Sequence, residues 1–286
     1  MNIPSRIEIP RFPGNKRIAV TTSFDDGHTF DRRIVAAFNA WGMKATFNLN
    51  SGNLRHTGKP TVEGDLKPGE RAYLDASEIA ELYRGHEVAI HTVTHPWLDR
   101  LDPSQIVDEV QQDRKALEDL VGYPVRGMAY PFGSFNPQIC ALLRGLGVVY
   151  SRTCVNAENC FPPAEPLAWA STAHQYATGP TVPERFQALL GNPRYSGVFY
   201  IWGHGFEFHD RNDWAGFERI YKPLSGHEEV WYCTNIELFD YEAARQRLVL
   251  AANRASAYNP SGIPVWVKAG DRLLAIAPGQ TVSLRY

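Results

Sequence analysis

Short apolar runs alternate with amphipathic stretches along most of this chain, and that order constrains the fold more than any other feature. Residues 17–24, 44–49, 87–90, 126–130, 148–152, 198–202 and 230–233 read as buried strands. Between them lie helical patterns. Over 30–41 the residues Ile34, Val35, Phe38 and Trp41 share a face, and Gly42 ends the run. Over 75–84 Asp75 is a cap, with Glu78 three residues later. Further helices are expected over 104–121, 137–146, 183–190, 213–224 and from 236 to about 252. About seven strand-then-helix units therefore cover 17–252. Right-handed crossovers turn such a series into a parallel sheet or barrel.

The tail breaks the pattern. Residues 263–268, 272–276 and 281–285 are short strand-like runs separated by Gly-Asp and Pro-Gly turns, which predicts a small antiparallel extension. At 286 residues two average domains would fit, but α/β barrels of roughly 200–250 residues fold as one unit. The expected layout is one α/β barrel over 1–252 with a β extension over 253–286 packed on it. The polar stretch 50–73, rich in Gly, Pro and Asn, is too long for an ordinary connection and reads as a functional or mobile loop.

Composition removes several classes of function. Lys plus Arg number 29 against 31 Asp plus Glu, so no basic field invites nucleic acid or an anionic membrane. No apolar run reaches the roughly 18 residues of a membrane span. The first residues carry no apolar stretch after Arg6, so no secretory leader is visible and a cytoplasmic location is expected, or export if a leader was trimmed. Cys140, Cys154, Cys160 and Cys233 lack paired metal spacing and read as reduced thiols, with a Cys154–Cys160 bridge as the minority reading for an exported chain.

Four polar clusters follow predicted strands: Asp25-Asp26-Gly27-His28, His91-Thr92-Val93-Thr94-His95, Tyr130-Pro131-Phe132-Gly133 and Trp202-Gly203-His204. Strand C-terminal ends are where α/β folds build their sites. Adjacent carboxylates repel, so Asp25-Asp26 calls for a metal, a cation or a shared proton; alone, it reads more simply as a solvated turn. His91 and His95 are spaced to share one side of a helical turn, although Pro96 disfavours that conformation at His95. Two imidazoles and one Asp would leave a coordination position open, as in a catalytic zinc site. His204 lies between two glycines that let the backbone approach a ligand. His56, His86, His174, His209 and His227 have no such setting and read as surface or capping residues. His28 adjoins the Asp pair and stays open between substrate and metal.

These clusters, in this order, resemble the polysaccharide deacetylase family, the NodB-homology domains of carbohydrate esterase family four. The matching segments are Thr22-Ser23-Phe24-Asp25-Asp26-Gly27, Lys44-Ala45-Thr46-Phe47, Gly85-His86-Glu87-Val88-Ala89-Ile90-His91 with His95, Tyr130-Pro131-Phe132-Gly133, and Gly203-His204. The resemblance implies a distorted (β/α)7, TIM-like barrel and one divalent metal ion, zinc first, on Asp26, His91 and His95. It implies Asp25 as general base, His204 as general acid, and the backbone around Tyr130 to Phe132, with Trp202 nearby, for oxyanion and substrate. The reaction implied is removal of an acetyl group, N-acetyl first, from an acetylated carbohydrate. An O-acetyl esterase or a hydrolase of a small linear amide is the alternative. A non-catalytic sugar binder is the second alternative, with Trp97, Trp202, Trp214 and Tyr176 as stacking surfaces.

The chain departs from the family in two places. Where many members carry an Arg before the Pro-containing turn, this chain has Ala129; the nearest arginine, Arg126, lies three residues earlier on the opposite face and would orient the base only if the strand bends. No Asp-x-Trp partner for His204 is evident, and Glu207, Asp240 and the stretch around Trp169 are the candidates. The oligomeric state is not legible.

Overall fold

A computed structural model describes residues 6–62, 64 and 66–285. In chain order the strands are β1 Ile7–Glu8, β2 Ile18–Asp25, β3 Thr46–Leu49, β4 Glu87–Ile90, β5 Gly127–Ala129, β6 Tyr150–Asn156, β7 Trp169–Ser171, β8 Ala173–His174, β9 Gly197–Gly203, β10 Val230–Tyr232, β11 Val249–Leu250, β12 Ser256–Tyr258, β13 Val265–Ala269, β14 Arg272–Ile276 and β15 Thr281–Ser283. The helices are α1 Asp31–Trp41, α2 Ile79–Leu82, α3 Pro103–Val121, α4 Pro137–Gly145, α5 Val182–Leu190, α6 Gly205–Asp210, α7 Trp214–Tyr221 and α8 Asn235–Gln246.

The central sheet is parallel and runs β7-β6-β5-β4-β3-β2-β9-β8, with β10 against the first half of β2. Its two ends are one continuous stretch of chain. β7 pairs with β6, β8 pairs with β9, and the single residue between them, Thr172, donates its N–H to Tyr200 O at 2.8 Å. This is the α/β barrel-like arrangement that the alternation predicted. Every residue of β2 is buried, as a strand covered on both faces must be.

Helix boundaries follow local chemistry. α1 buries Ile34, Val35 and Phe38 against the sheet and stops at Gly42, whose φ of 66° suits glycine. α3 starts on a capping box of Asp102 and Gln105, with Pro103 in the first turn. α8 ends at Gln246, earlier than expected, because the chain turns there into β11.

The N-terminal end of the barrel is closed by the start of α8. Asn235 N–H donates to Thr46 Oγ1, Ile236 N–H donates to Glu87 Oε2, and Leu238 packs with Phe12, Tyr150, Trp169 and Tyr200. The small antiparallel strands gather beside this end. β13 pairs with β14 and also with β1, while β12 pairs with β11 and β15. The opposite, C-terminal end is left to the loops. No helix of the described residues is long and apolar enough to cross a membrane. All four cysteines are free, and only Cys154 is exposed.

Candidate active site

The clusters meet at that open end. Parallel register puts Asp25 of β2 beside Asn48 of β3, Phe24 beside Gly203 of β9, and Ala129 of β5 beside Arg152 of β6. The loops after β2, β4 and β9 then deliver Asp26, His91, His95 and His204 to one place.

Asp26 Oδ1 lies 3.6 Å from His91 Nε2 and 3.7 Å from His95 Nε2, and the three candidate ligand atoms all fall within 4.8 Å of one another. Tetrahedral zinc with bonds of about 2.0–2.1 Å separates its ligands by roughly 3.4 Å, so the cluster fits such an ion. Orientation agrees. His91 Nδ1 is 2.8 Å from Ala129 O, which holds the ring proton there and turns the Nε2 lone pair toward Asp26. Burial drives the His91 pKa down to about 4, so the ring is neutral, as a ligand must be. His91 is enclosed, while Asp26 and His95 keep an open side.

The His-x-x-x-His spacing works without a helix. Thr92 and His95 both take positive φ, at 70° and 59°, and His95 N–H donates to Thr92 Oγ1 at 3.1 Å. Asp26 and Phe132 also have positive φ, at 84° and 57°. Four of the eight non-glycine residues in this conformation, among those described, therefore sit at the site. Such conformations cost of order 1–3 kcal/mol each and persist where surrounding contacts impose them. One of those contacts escaped the sequence reading. Asp113, fully buried on α3, accepts the N–H of His91 at 3.0 Å and of Ser51 at 2.7 Å.

Asp25 is almost wholly enclosed. Burial pushes its pKa up, but Arg152, His91, His204 and the Asn48 amide outweigh that and bring it down to about 2. Arg152 Nη2 donates to Asp25 Oδ2 at 2.5 Å, and Asn48 Nδ2 donates to Oδ1 at 2.7 Å. The arginine that holds Asp25 is thus Arg152, not Arg126. Arg126 forms a bidentate pair with Asp240 at 3.0 and 2.7 Å, away from Asp25. Arg152 stands in register beside Ala129, so the guanidinium enters from the next strand, where register partners share a face. The pairing of an arginine with Ala129 was invisible because strand register is not written in one sequence. Trp202 lies against this group, with the Arg152 guanidinium 4.2 Å from its ring centre.

His204 Nε2 is 3.8 Å from Asp25 Oδ2, and its Nδ1 is 3.4 Å from Glu207 Oε2. Burial disfavours the imidazolium, yet Glu207, Asp25 and Asp26 together raise the His204 pKa. Of the three candidate partners, only Glu207 reaches it. Asp240 serves Arg126, and Trp169 is a core residue stacked on Tyr200. The glycines flanking His204 also have another cause. A Cβ on Gly203 would stand 2.1 Å from Gln175 Cδ, and one on Gly205 would press on Phe30 and Ile34 at 3.1 Å, so both serve packing rather than a ligand. His174, read as a surface residue, lies at the site, 3.1 Å from Glu207 Oε2.

Tyr130 contributes backbone only. Its side chain is buried, with the hydroxyl donating to Leu167 O at 2.7 Å, and its N–H is committed to Arg152 O. Pro131 has no N–H, which leaves that of Phe132. The Phe132 ring stacks on Trp97 at 4.3 Å and meets His95 edge-on at 4.5 Å. Trp97 carries Arg100 on its ring, Tyr176 carries Arg211, and Trp214 carries Arg33. The 50–73 loop forms the facing wall among its described residues. Arg71 pairs with Asp210 of α6 at 2.9 and 2.6 Å, and Tyr73 stacks on His28 at 4.6 Å. Both ring nitrogens of His28 are buried without a partner.

The open end of the parallel β/α barrel thus brings together a two-His, one-Asp cluster, a buried Asp and a His held by a carboxylate. Residues 13–151 match the polysaccharide deacetylase family model, so this part of the chain is similar to that family. It is 29% identical over 142 residues to the peptidoglycan-N-acetylglucosamine deacetylase PgdA of Listeria monocytogenes, 48% of this chain but 26% of that protein. The match thus spans about a quarter of the curated relative's length. Among solved structures, similar folds include a putative polysaccharide deacetylase from Mycobacterium smegmatis (TM-score 0.55, 16% identity, 86% of this chain and 95% of that one). Another is the Xyl-CE4 domain of a multidomain xylanase from the hindgut metagenome of Trinervitermes trinervoides (TM-score 0.53, 18% identity, 80% and 93%). At these identities the likeness concerns the fold.

Proposed function

We propose that this chain is a metal-dependent hydrolase that removes acetyl groups, N-acetyl first, from a carbohydrate. One observation carries the reading: Asp25 and His204 stand 3.8 Å apart beside the three-ligand cluster. Asp26, His91 and His95 would hold the divalent ion, which supplies Lewis-acid polarisation of the acetyl carbonyl and of water when bound. Asp25, ionised at any ordinary pH, takes the proton of the attacking water at a carboxylate oxygen. Arg152 and Asn48 keep that carboxylate from turning. With the Tyr130 N–H committed and Pro131 lacking one, the N–H of Phe132 would be the backbone donor to the oxygen that gains charge. His204 delivers a proton from Nε2 to the departing nitrogen, while Nδ1 stays on Glu207.

That last step favours an amide over an ester. An amine leaves only when protonated, and the carboxylates of Glu207, Asp25 and Asp26 around His204 favour the imidazolium that could supply that proton. A purely sugar-binding protein has no use for Asp25 and Arg152 buried together beside a metal cluster. The barrel carries every residue of this mechanism, and the β extension carries none. Chromogenic N-acetyl and O-acetyl glycosides, assayed before and after chelation, test the reading. Faster N-acetyl cleavage that chelation abolishes supports it; preferential O-acetyl cleavage replaces it with the esterase.

A further inference from the structure

His174 ends β8, in register with Trp202 of β9, two residues before His204. Its Nδ1 accepts the N–H of Tyr176 at 3.2 Å. A ring nitrogen that accepts carries no proton, so the neutral ring holds its proton on Nε2. That nitrogen lies 3.1 Å from Glu207 Oε2. Gln175 Nε2 donates to the same oxygen at 2.7 Å and to His204 O at 2.9 Å. Tyr221 donates to Gln175 Oε1 at 3.1 Å, which fixes which end of the amide faces Glu207. Glu207 is therefore gripped from two sides. Its pKa is pushed well down, with burial opposing and the hydrogen bonds of His174 and His204 prevailing.

We propose that His174 is a positioning residue: its Nε2–H holds Glu207 so that His204 keeps its proton on Nδ1 and turns Nε2 toward Asp25. The proposal rests on the deacetylase reading only for what His204 then does. The same atoms, His174 Nε2, His204 Nδ1 and Glu207 Oε2, lie close enough to suggest a second metal site. The tautomer argues against that. A metal on His174 Nε2 would send the ring proton to Nδ1, where it would face the N–H of Tyr176, donor against donor.

Two variants of the full chain separate these readings. His174→Gln places an amide donor near Nε2; His174→Phe keeps a ring against Trp202 without a donor. Long-range 1H–15N spectra report the tautomers, and steady-state kinetics report the consequence. The expected spectrum has His174 in its Nε2–H form, and His174→Phe shifts or broadens the His204 Nδ1 proton. Loss of one charge-assisted hydrogen bond should lower kcat about tenfold in His174→Phe, with KM within about twofold, and His174→Gln should recover to within about threefold. An Nδ1–H tautomer at His174, an unmoved His204 signal in His174→Phe, equal damage in both variants, or a second bound zinc lost in His174→Phe would each overturn the proposal. If no acetylated glycan is turned over, the deacetylase reading fails, while the spectra still decide the role of His174.

Discussion

Arg152 on β6 and Asp25 on β2 form an ion pair at 2.5 Å, and both side chains are almost completely withdrawn from solvent. Removing one member of a buried pair leaves the other uncompensated and typically costs about 3–5 kcal/mol. Arg152→Met should therefore destabilise the chain by that order and lower kcat by roughly 100-fold, the scale of one proton-transfer partner. Arg152→Lys should recover only part, because a lysine has no planar fork for the carboxylate and stacks poorly on Trp202. Chemical denaturation and steady-state kinetics check both. Unchanged stability and rate in Arg152→Met would remove Arg152 from the account.

Metal binding should be visible without substrate. Zinc at about 100 times its dissociation constant adds roughly 2.7 kcal/mol to stability when only the folded chain binds it. The metal-stripped protein should thus melt higher on adding zinc, and His91→Ala should abolish that gain. A melting temperature that ignores zinc would show that the folded chain does not hold it, and one that rises equally in His91→Ala would place the ion elsewhere.

Asp113 reaches the ligand cluster through the backbone N–H of His91, which it accepts at 3.0 Å. Asp113→Asn exchanges one acceptor for an amide that faces an N–H donor, so the loop after β4 should loosen. Supporting residues of this kind typically cost about 10–100-fold in metal affinity. Competition against a chromophoric chelator measures it, and an affinity equal to wild type would limit Asp113 to a folding role.

Asp31, fully buried at the start of α1, accepts from Tyr83 at 2.7 Å, and burial raises its pKa to about 8 against 3.8 for a free carboxyl. The folded chain keeps a proton that the unfolded chain gives up between pH 4 and 8. Its presence therefore lowers stability as pH rises through that window. Asp31→Asn, which can still accept from Tyr83, should match wild type near pH 4 and gain on it up to pH 8. A gain of about 1 kcal/mol corresponds to roughly 2–4 °C in a domain of this size. Melting curves across pH test it; a gap between variant and wild type that does not change with pH would show that Asp31 is ionised in the fold.

The sequence carried the barrel because strands buried on both faces must be apolar and their crossovers must be helical. It carried Asp25, Asp26, His91, His95 and His204 because each follows a strand end. Arg152 was hidden by register, since nothing along the chain says that it lies beside Ala129. Glu207 was one of three candidates because α6, only six residues long, has too short a pattern to be seen. His174 was missed because β7 and β8 are short strands joined through Thr172, and without them the residue has no place at the barrel end. Asp113 could have been found: it is an Asp on the buried face of α3, alongside Ile106, Val110 and Leu117.

The most direct measurement is acetate release from a panel of N-acetylated and O-acetylated glycans, by protein of known metal content, for wild type and Asp25→Asn. The account predicts release from at least one N-acetylated glycan at one metal ion per chain, and a loss of roughly 10²–10⁴-fold in Asp25→Asn at unchanged metal content. Full activity in Asp25→Asn, or no release from any glycan by the fully loaded wild type, would contradict it.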